Sequence, residues 1–213
     1  MSTLNAGVLT FQEWAMKESL PLATIHGAVL DFLRGRNDIV LFGAHAVNAY
    51  ADEPRMTQDV DVMSTRAVEL AEELCAYLNQ QFHIAVRIRK VREGLGYRLY
   101  QVRKSGNRHL VDVRPVETLP PHQKVEDVQT IDPVGLIAGK VAAYHHHRNK
   151  PKAGTDWRDL AALLLTFPDL KCDPGPVSER LKEEGADEAI LAAWQEIVVS
   201  EIKPQDEDSE FDY

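Results

Sequence analysis

Residues Leu41–Val62 read LFGAHAVNAYADEPRMTQDVDV, and the rest of the chain is arranged around them. The apolar run Ile39–Phe42 reads as a buried strand, and Gly43 ends it. Residues 44–51 read as a short helix, 52–55 as a loop and 58–63 as a second strand. Alternation along that strand puts Val60 and Val62 on one face and Asp59 and Asp61 on the other. Their Cα atoms are then roughly 7 Å apart, close enough for the two carboxylates to converge on divalent ions. A glycine turn opening a helix presents backbone N–H groups to a phosphate. Asp-x-Asp alone also describes two solvated carboxylates on an edge strand. The glycine turn before it, the approach Arg55-Met56-Thr57 and a third carboxylate, Asp112, on a later strand select the metal reading.

Working outward, Phe11, Trp14, Ala15 and Leu20 can share one face of a short helix, and residues 23–36 carry apolar residues at helical spacing. After the acidic strand, Val68, Leu70, Ala71, Leu74, Leu78 and Phe82 form the stripe of a helix over 67–82. The period then changes. Ile84, Val86 and Ile88 alternate with Arg87 and Arg89, Glu93-Gly-Leu-Gly turns, 97–103 is a strand, Ser105-Gly-Asn turns, and 109–113 is a strand. Residues 84–115 therefore read as an antiparallel meander. In its last strand Leu110, Asp112 and Arg114 fall on one face, and Val111 and Val113 on the other. Pro115, Pro120 and Pro121 mark a connecting loop, beyond which the chain reads as helical. Helices are expected from Pro133 to about Arg148, over 156–167 with Thr155 as cap, over 177–184 and over 187–202. The expected class is α+β, a mixed sheet flanked by helices with a helical C-terminal half. The expected organisation is a core over 1–118, a helical region over 119–203 and a disordered acidic tail over 204–213.

With 213 residues the chain can bury a substantial core. The net charge of −9 excludes unaided, non-specific nucleic-acid binding as the main role. The charge is uneven: residues 84–108 hold eight Lys or Arg against one acid, which leaves the remainder at −16. That basic stretch reads either as a grip on a polyanionic acceptor or as the solvent face of a meander with a blunted edge. Cys75 and Cys172 have no metal-type spacing and read as free thiols in a reducing compartment. No signal pattern or membrane-length apolar run is visible, so a cytoplasmic location without membrane association is expected.

These residues resemble nucleotidyltransferases of the DNA polymerase β superfamily, in particular the AbiEii-type toxins of abortive-infection and type IV toxin–antitoxin systems. The resemblance rests on Phe42-Gly43-Ala44, on Arg55-Met56-Thr57-Gln58-Asp59-Val60-Asp61, on Asp112 within Leu110-Val-Asp-Val, on Lys140 and Arg148, and on Asp156-Trp-Arg-Asp159-Leu160. It covers roughly 39–165. It implies transfer of a nucleoside monophosphate from a nucleoside triphosphate to a hydroxyl, with Mg2+ or Mn2+ as cofactor. Asp59, Asp61 and Asp112 would be the catalytic carboxylates and metal ligands. Gly43, Ala44, His45, Arg55, Thr57, Lys140 and Arg148 would line the nucleotide, with Tyr144, Asp156 and Asp159 in support. The acceptor would be RNA, such as tRNA, a protein or a small molecule, and an antitoxin would be the protein partner. Ala44 stands where the family keeps Gly or Ser, so it offers its N–H but no hydroxyl. That substitution supports a second reading, a non-catalytic or weakly active nucleotide-binding sensor of the same fold.

Several residues also have plainer readings. Lys140, Tyr144 and Arg148 form one helix stripe, either lining phosphate or lying on an exposed basic face. Asp156 and Asp159 either favour a helix N-terminus or position Lys140 or Arg148. His45 is either a ligand contact or a packed polar residue. His145, His146 and His147 are consecutive on a helix, so they point apart and do not chelate together.

Overall fold

A computed structural model describes residues 20–52, 54–91 and 96–203. The expected helix face beginning at Phe11, most of the turn beginning at Glu93, and the acidic tail lie outside the described residues. The chain divides into two compact units, 1–132 and 133–213.

The first unit contains α1 (Leu22–Leu33), β1 (Ile39–Phe42), α2 (Gly43–Tyr50), β2 (Val60–Ser64), α3 (Ala67–Phe82), β3 (Val86–Val91), β4 (Gly96–Gln101), β5 (Arg108–Pro115), β6 (His122–Val125) and β7 (Val128–Ile131). The strands form one mixed sheet in the order β3-β4-β5-β2-β1-β7-β6. β2 and β5 run parallel, as do β1 and β7, and the other neighbours are antiparallel. The apolar stripes of α1 (Ile25, Val29, Leu30, Leu33) and α3 (Leu70, Ala71, Leu74, Leu78) pack with Val60, Val62, Leu99, Val111 and Val113 in one core. Removal of this apolar surface from water is the main stabilising term. Because strand side chains alternate, the opposite face of the same strands carries Asp61, Arg98 and Asp112.

The mixed α/β architecture agrees with the sequence reading, and the helix over 67–82 and the meander stand where periodicity puts them. Three details differ. The helical half begins at Pro133, not at 119, because 122–131 forms the β6–β7 hairpin. Its two-residue turn, Glu126-Asp127, has positive φ at both positions (48° and 63°), the geometry usually signalled by Asn-Gly. Here it is held instead by Gly35 N–H donating to Asp127 O (2.9 Å) and by Arg34 bonding to Glu126.

The second unit contains α4 (Pro133–His146), α5 (Lys152–Thr166), a single 3-10 turn (Pro168–Leu170), α6 (Pro176–Glu183) and α7 (Glu188–Val199). α4 ends two residues early, leaving Arg148 in the following turn. α5 starts at Lys152, four residues before the expected start at Asp156, because Pro151, with φ −53° and ψ −30°, already has helical geometry and Pro is tolerated at a helix start. No helix among the described residues is long and apolar enough to cross a membrane.

Candidate active site

The site begins at the β1–α2 corner. Gly43 has φ +70°, and a Cβ there would lie 2.1 Å from Asp61 Oδ2. Only glycine meets both conditions, a left-handed backbone and a carboxylate packed against the turn. Phe42 is the register partner of Asp61 across β1–β2, so the turn and the carboxylate are neighbours by strand pairing.

The loop leading to Asp59 is tied to α2 by three polar side chains. Asn48, buried at 2% exposure, donates Nδ2–H to Arg55 O (2.7 Å) and accepts the Arg55 N–H at Oδ1 (3.0 Å). Thr57 Oγ1 lies 2.8 Å from His45 Nε2 and donates to Asp59 O at 3.3 Å. His45 is itself buried, with the same nitrogen 3.2 Å from Nδ1 of buried His26. The geometry gives His45 the packed role of its two readings, with Thr57 as the link to the loop. Arg55 donates to Met56 O (3.0 Å). Asp59 stands immediately before β2 instead of on it, since pairing begins at Val60.

Asp61 and Asp112 are direct register partners across the parallel β2–β5 pair, and Arg98 lies opposite Asp112 across β4–β5. Arg98 donates Nε–H and Nη2–H to the two oxygens of Asp112, each at 2.9 Å, a forked ion pair. On the other side His109 spans two carboxylates. Its Nδ1 lies 2.9 Å from Asp59 Oδ2 and its Nε2 lies 2.9 Å from Asp112 Oδ1. One ligand atom from each of Asp59, His109 and Asp112 lies within 4.8 Å of the others, a spacing fit for a metal ion.

His109 is the residue that sequence alternation misses. Strict alternation puts it with Val111 and Val113 on the core face and Leu110 with Asp112 on the open face. The register shows otherwise: Leu99 pairs with Val111 and Tyr100 with His109, which leaves Leu110 as an extra residue. This β-bulge turns Leu110 into the core at 0% exposure and brings His109 to the side of Asp112. The available signal was chemical, a histidine three residues before the third carboxylate.

The electrostatics follow from this geometry. Burial disfavours charge on Asp112, but hydrogen bonds from His109 and Arg98 outweigh it and hold its carboxyl down at about 2. Burial also works against a charged His109, yet its bonds to Asp112 and Asp59 raise it to about 9. Burial pushes Asp59 up, and the His109 hydrogen bond together with the charge of His109 offsets this, so its carboxyl lies below the usual range. At neutral pH an imidazolium thus sits between two carboxylates, donating from both nitrogens.

The remaining expected residues belong to the second unit. Lys140 Nζ donates to Asp159 Oδ2 at 2.6 Å, with side chains 11% and 1% exposed. The exposed-face reading of Lys140 is therefore corrected: it is buried in an ion pair. Tyr144 packs against Trp157, ring centroids 5.5 Å apart. Asp156 takes a 2.6 Å bond from His147 Nδ1, and Arg148 pairs with Glu196. Both aspartates lie in α5 beyond its first residues and are buried by partners within the unit, which explains them better than the helix dipole does.

With the geometry in view, comparison with known proteins is informative. The sequence profile of the family described as "Nucleotidyl transferase AbiEii toxin, Type IV TA system" matches residues 28–198. The chain belongs to this nucleotidyltransferase family. No curated protein sequence matches it. Among solved structures, the Megavirus polyadenylate synthase is similar at 14% identity and TM-score 0.59, covering 76% of this chain. This chain spans only 35% of that protein's length. JHP933 from Helicobacter pylori is similar at 15% identity and TM-score 0.51, covering 90% of this chain and 91% of its own. At these identities the likeness concerns the fold. Nucleotidyl transfer generally uses divalent metal ions. The donor set fits one, because two carboxylates and an imidazole converge on the open sheet face.

Proposed function

We propose that this nucleotidyltransferase moves a nucleoside monophosphate from a nucleoside triphosphate to a hydroxyl of an RNA acceptor, tRNA among the candidates, as a toxin-type enzyme restrained by an antitoxin. The observation that carries the reading is the convergence of Asp59, Asp112 and His109 beside Asp61 and the Gly43 turn. A divalent ion held there, by Asp59, Asp61 and Asp112 among others, would neutralise phosphate charge and lower the cost of making the acceptor alkoxide.

The chain's own groups do the rest. Gly43 and Ala44 open α2 with backbone N–H groups that favour phosphate oxygens. The acceptor hydroxyl attacks the α-phosphorus, the bond to the β-phosphate bridging oxygen breaks, and pyrophosphate leaves. Asp112 orients that hydroxyl and passes its proton towards solvent. Arg98, 46% exposed, can exchange its carboxylate for a phosphate. Arg89 and Arg87 are exposed on β3, and register puts them on the same sheet face as Arg98 and Asp112, where they suit a polyanionic strand. Lys140, held by Asp159, and Arg148 are assigned to the triphosphate on the strength of the family resemblance.

The test is incubation of the full chain with each labelled triphosphate, Mg2+ or Mn2+, and total RNA or lysate. Label entering RNA with the wild type and not with Asp59→Asn is the expected result. Label in a protein or small molecule instead changes the acceptor class, and no label from any triphosphate overturns the reading.

A further inference from the structure

Beside the carboxylates that the resemblance names, the candidate site holds an imidazole, His109. We propose that His109 is a direct ligand, with Asp59 and Asp112, of one divalent ion, and that its nitrogen makes this a site for a first-row transition ion in preference to Mg2+. The inference rests on the nucleotidyl-transfer reading for its purpose, but its geometry stands apart from that reading.

Three observations carry it. First, the spacing is right. Two ligands at about 2.1 Å from one ion, at a right angle, are about 3 Å apart. His109 Nδ1 and Asp59 Oδ2 are 2.9 Å apart, and Asp112 contributes an oxygen within 4.8 Å of both. An ion bonded to Nδ1 takes the place of the proton that Nδ1 shares with Asp59, so binding releases that proton to solvent. Second, the position is built. The bulge at Leu110 turns His109 out of the core side of β5, and the Thr57 hydroxyl and Asn48 fix the loop that ends in Asp59. Third, the site is reachable: the three side chains are 25–28% exposed, neither sealed in the core nor fully solvated.

The choice of ion follows from ligand chemistry. Mg2+ is a hard ion that keeps its waters and takes carboxylate and phosphate oxygens, and imidazole adds little to it. Mn2+ and the ions after it accept nitrogen alongside oxygen with rising affinity. Two carboxylates with one imidazole therefore discriminate where three carboxylates would not. Asp61 stands outside this group of three, its carboxylate packed against Gly43.

Mn2+ is the probe. The full chain without nucleotide is titrated with Mn2+ and followed by loss of the free-ion electron paramagnetic resonance signal, then back-titrated with Mg2+. Pulsed measurements on the bound ion read nitrogen coupling directly. The expected result is a 14N coupling in the wild type that is absent in His109→Ala, with Mn2+ held against a roughly tenfold excess of Mg2+. In His109→Ala the Mn2+ to Mg2+ affinity ratio should fall by about tenfold or more. Bound Mn2+ without nitrogen coupling, displacement by equimolar Mg2+, or binding of neither ion to the wild type would each overturn the proposal. The coupling is read on the wild type, so the conclusion does not depend on the variant folding. Nucleotide transfer without nitrogen coupling leaves the transfer reading intact and removes this one, whereas coupling without transfer does the reverse.

Discussion

The two units each hold a cluster of charge, and the clusters are built on opposite principles. In the first, Asp59, Asp61 and Asp112 share the open sheet face with His109 and Arg98, and the Asp59 and Asp112 side chains are each 28% exposed. Of the cations there, Arg98 is half exposed. In the second, Lys140 and Asp159 form an ion pair at 2.6 Å with almost no solvent access. A buried pair is costly to break, since losing one partner strands the other charge in a low dielectric. An open, partly solvated cluster exchanges partners cheaply. The first arrangement suits exchange of ligands, and the second holds Lys140 in one position.

The sharpest test removes charge from the open cluster without changing its shape. Asp61→Asn should lower nucleotide transfer by roughly a thousandfold or more, several kcal/mol of lost transition-state stabilisation. Its urea midpoint should move little, because Asp61 lies on the face opposite the α1–α3 core. A large loss of stability with activity retained would reverse the comparison.

The closed pair should respond in the opposite sense. Lys140→Met removes the cation beside buried Asp159, and should cost about 3–5 kcal/mol in denaturant unfolding. Adding Asp159→Leu should recover most of that loss, since a hydrophobic pair of similar volume is often neutral. Failure of the double variant to recover would show that Lys140 contributes through other contacts.

The same contrast governs what could be read from the sequence. The Leu41–Val62 stretch was legible because each part obeys a local rule: an apolar strand, a glycine whose φ and packing admit nothing larger, and alternation along β2. The helix over 67–82 was legible from its 3.6-residue period. What escaped were departures from period. The bulge at Leu110 inserts one residue into an otherwise regular strand, so it reverses the facing of His109 with no change in composition. The Glu126-Asp127 turn lacks the usual Gly and depends on Gly35 and Arg34, distant in sequence, so local sequence carries no signal for the β6–β7 hairpin that delays the helical region to Pro133. Pairing of Lys140 with Asp159 joins residues 19 positions apart on two helices and is a tertiary fact, which helix spacing within α4 does not encode.

Acid sensitivity offers a third, smaller test, because the group beneath the open cluster is neutral. Burial, with His45 adding to it, lowers His26 from 6.5 to about 3. The unfolded chain binds this proton more readily than the folded one, so stability is full above pH 6.5 and falls as pH drops towards 3. The loss should be on the order of 3 kcal/mol by pH 4. His26→Leu should flatten that limb of the stability profile. Asp59 and Asp112 act in a lower window, below their unfolded value of 3.8, so the two contributions separate by pH. His109 has the opposite sign. Raised from 6.5 to about 9, its stabilisation in the metal-free chain is full below pH 6.5 and is lost as pH rises through 9. An acid limb unchanged in His26→Leu would place the sensitivity on the surface carboxylates instead.

The smallest effect is expected where the open cluster meets solvent. Arg98→Met removes the forked pair with Asp112 and keeps the aliphatic stem on β4. Arg98 is 46% exposed, so solvent screening should limit the stability change to less than about 1 kcal/mol. Losing a cation that competes for Asp112 should tighten Mn2+ binding a few-fold, most visibly at low ionic strength where surface charge is least screened. Binding that weakens instead would mean that Arg98 holds Asp112 in its ligating orientation and does not act as an exchangeable counter-charge. The stability measurement distinguishes the two cases, because an orienting contact tight enough to control ligand geometry would cost more than a screened surface pair when removed.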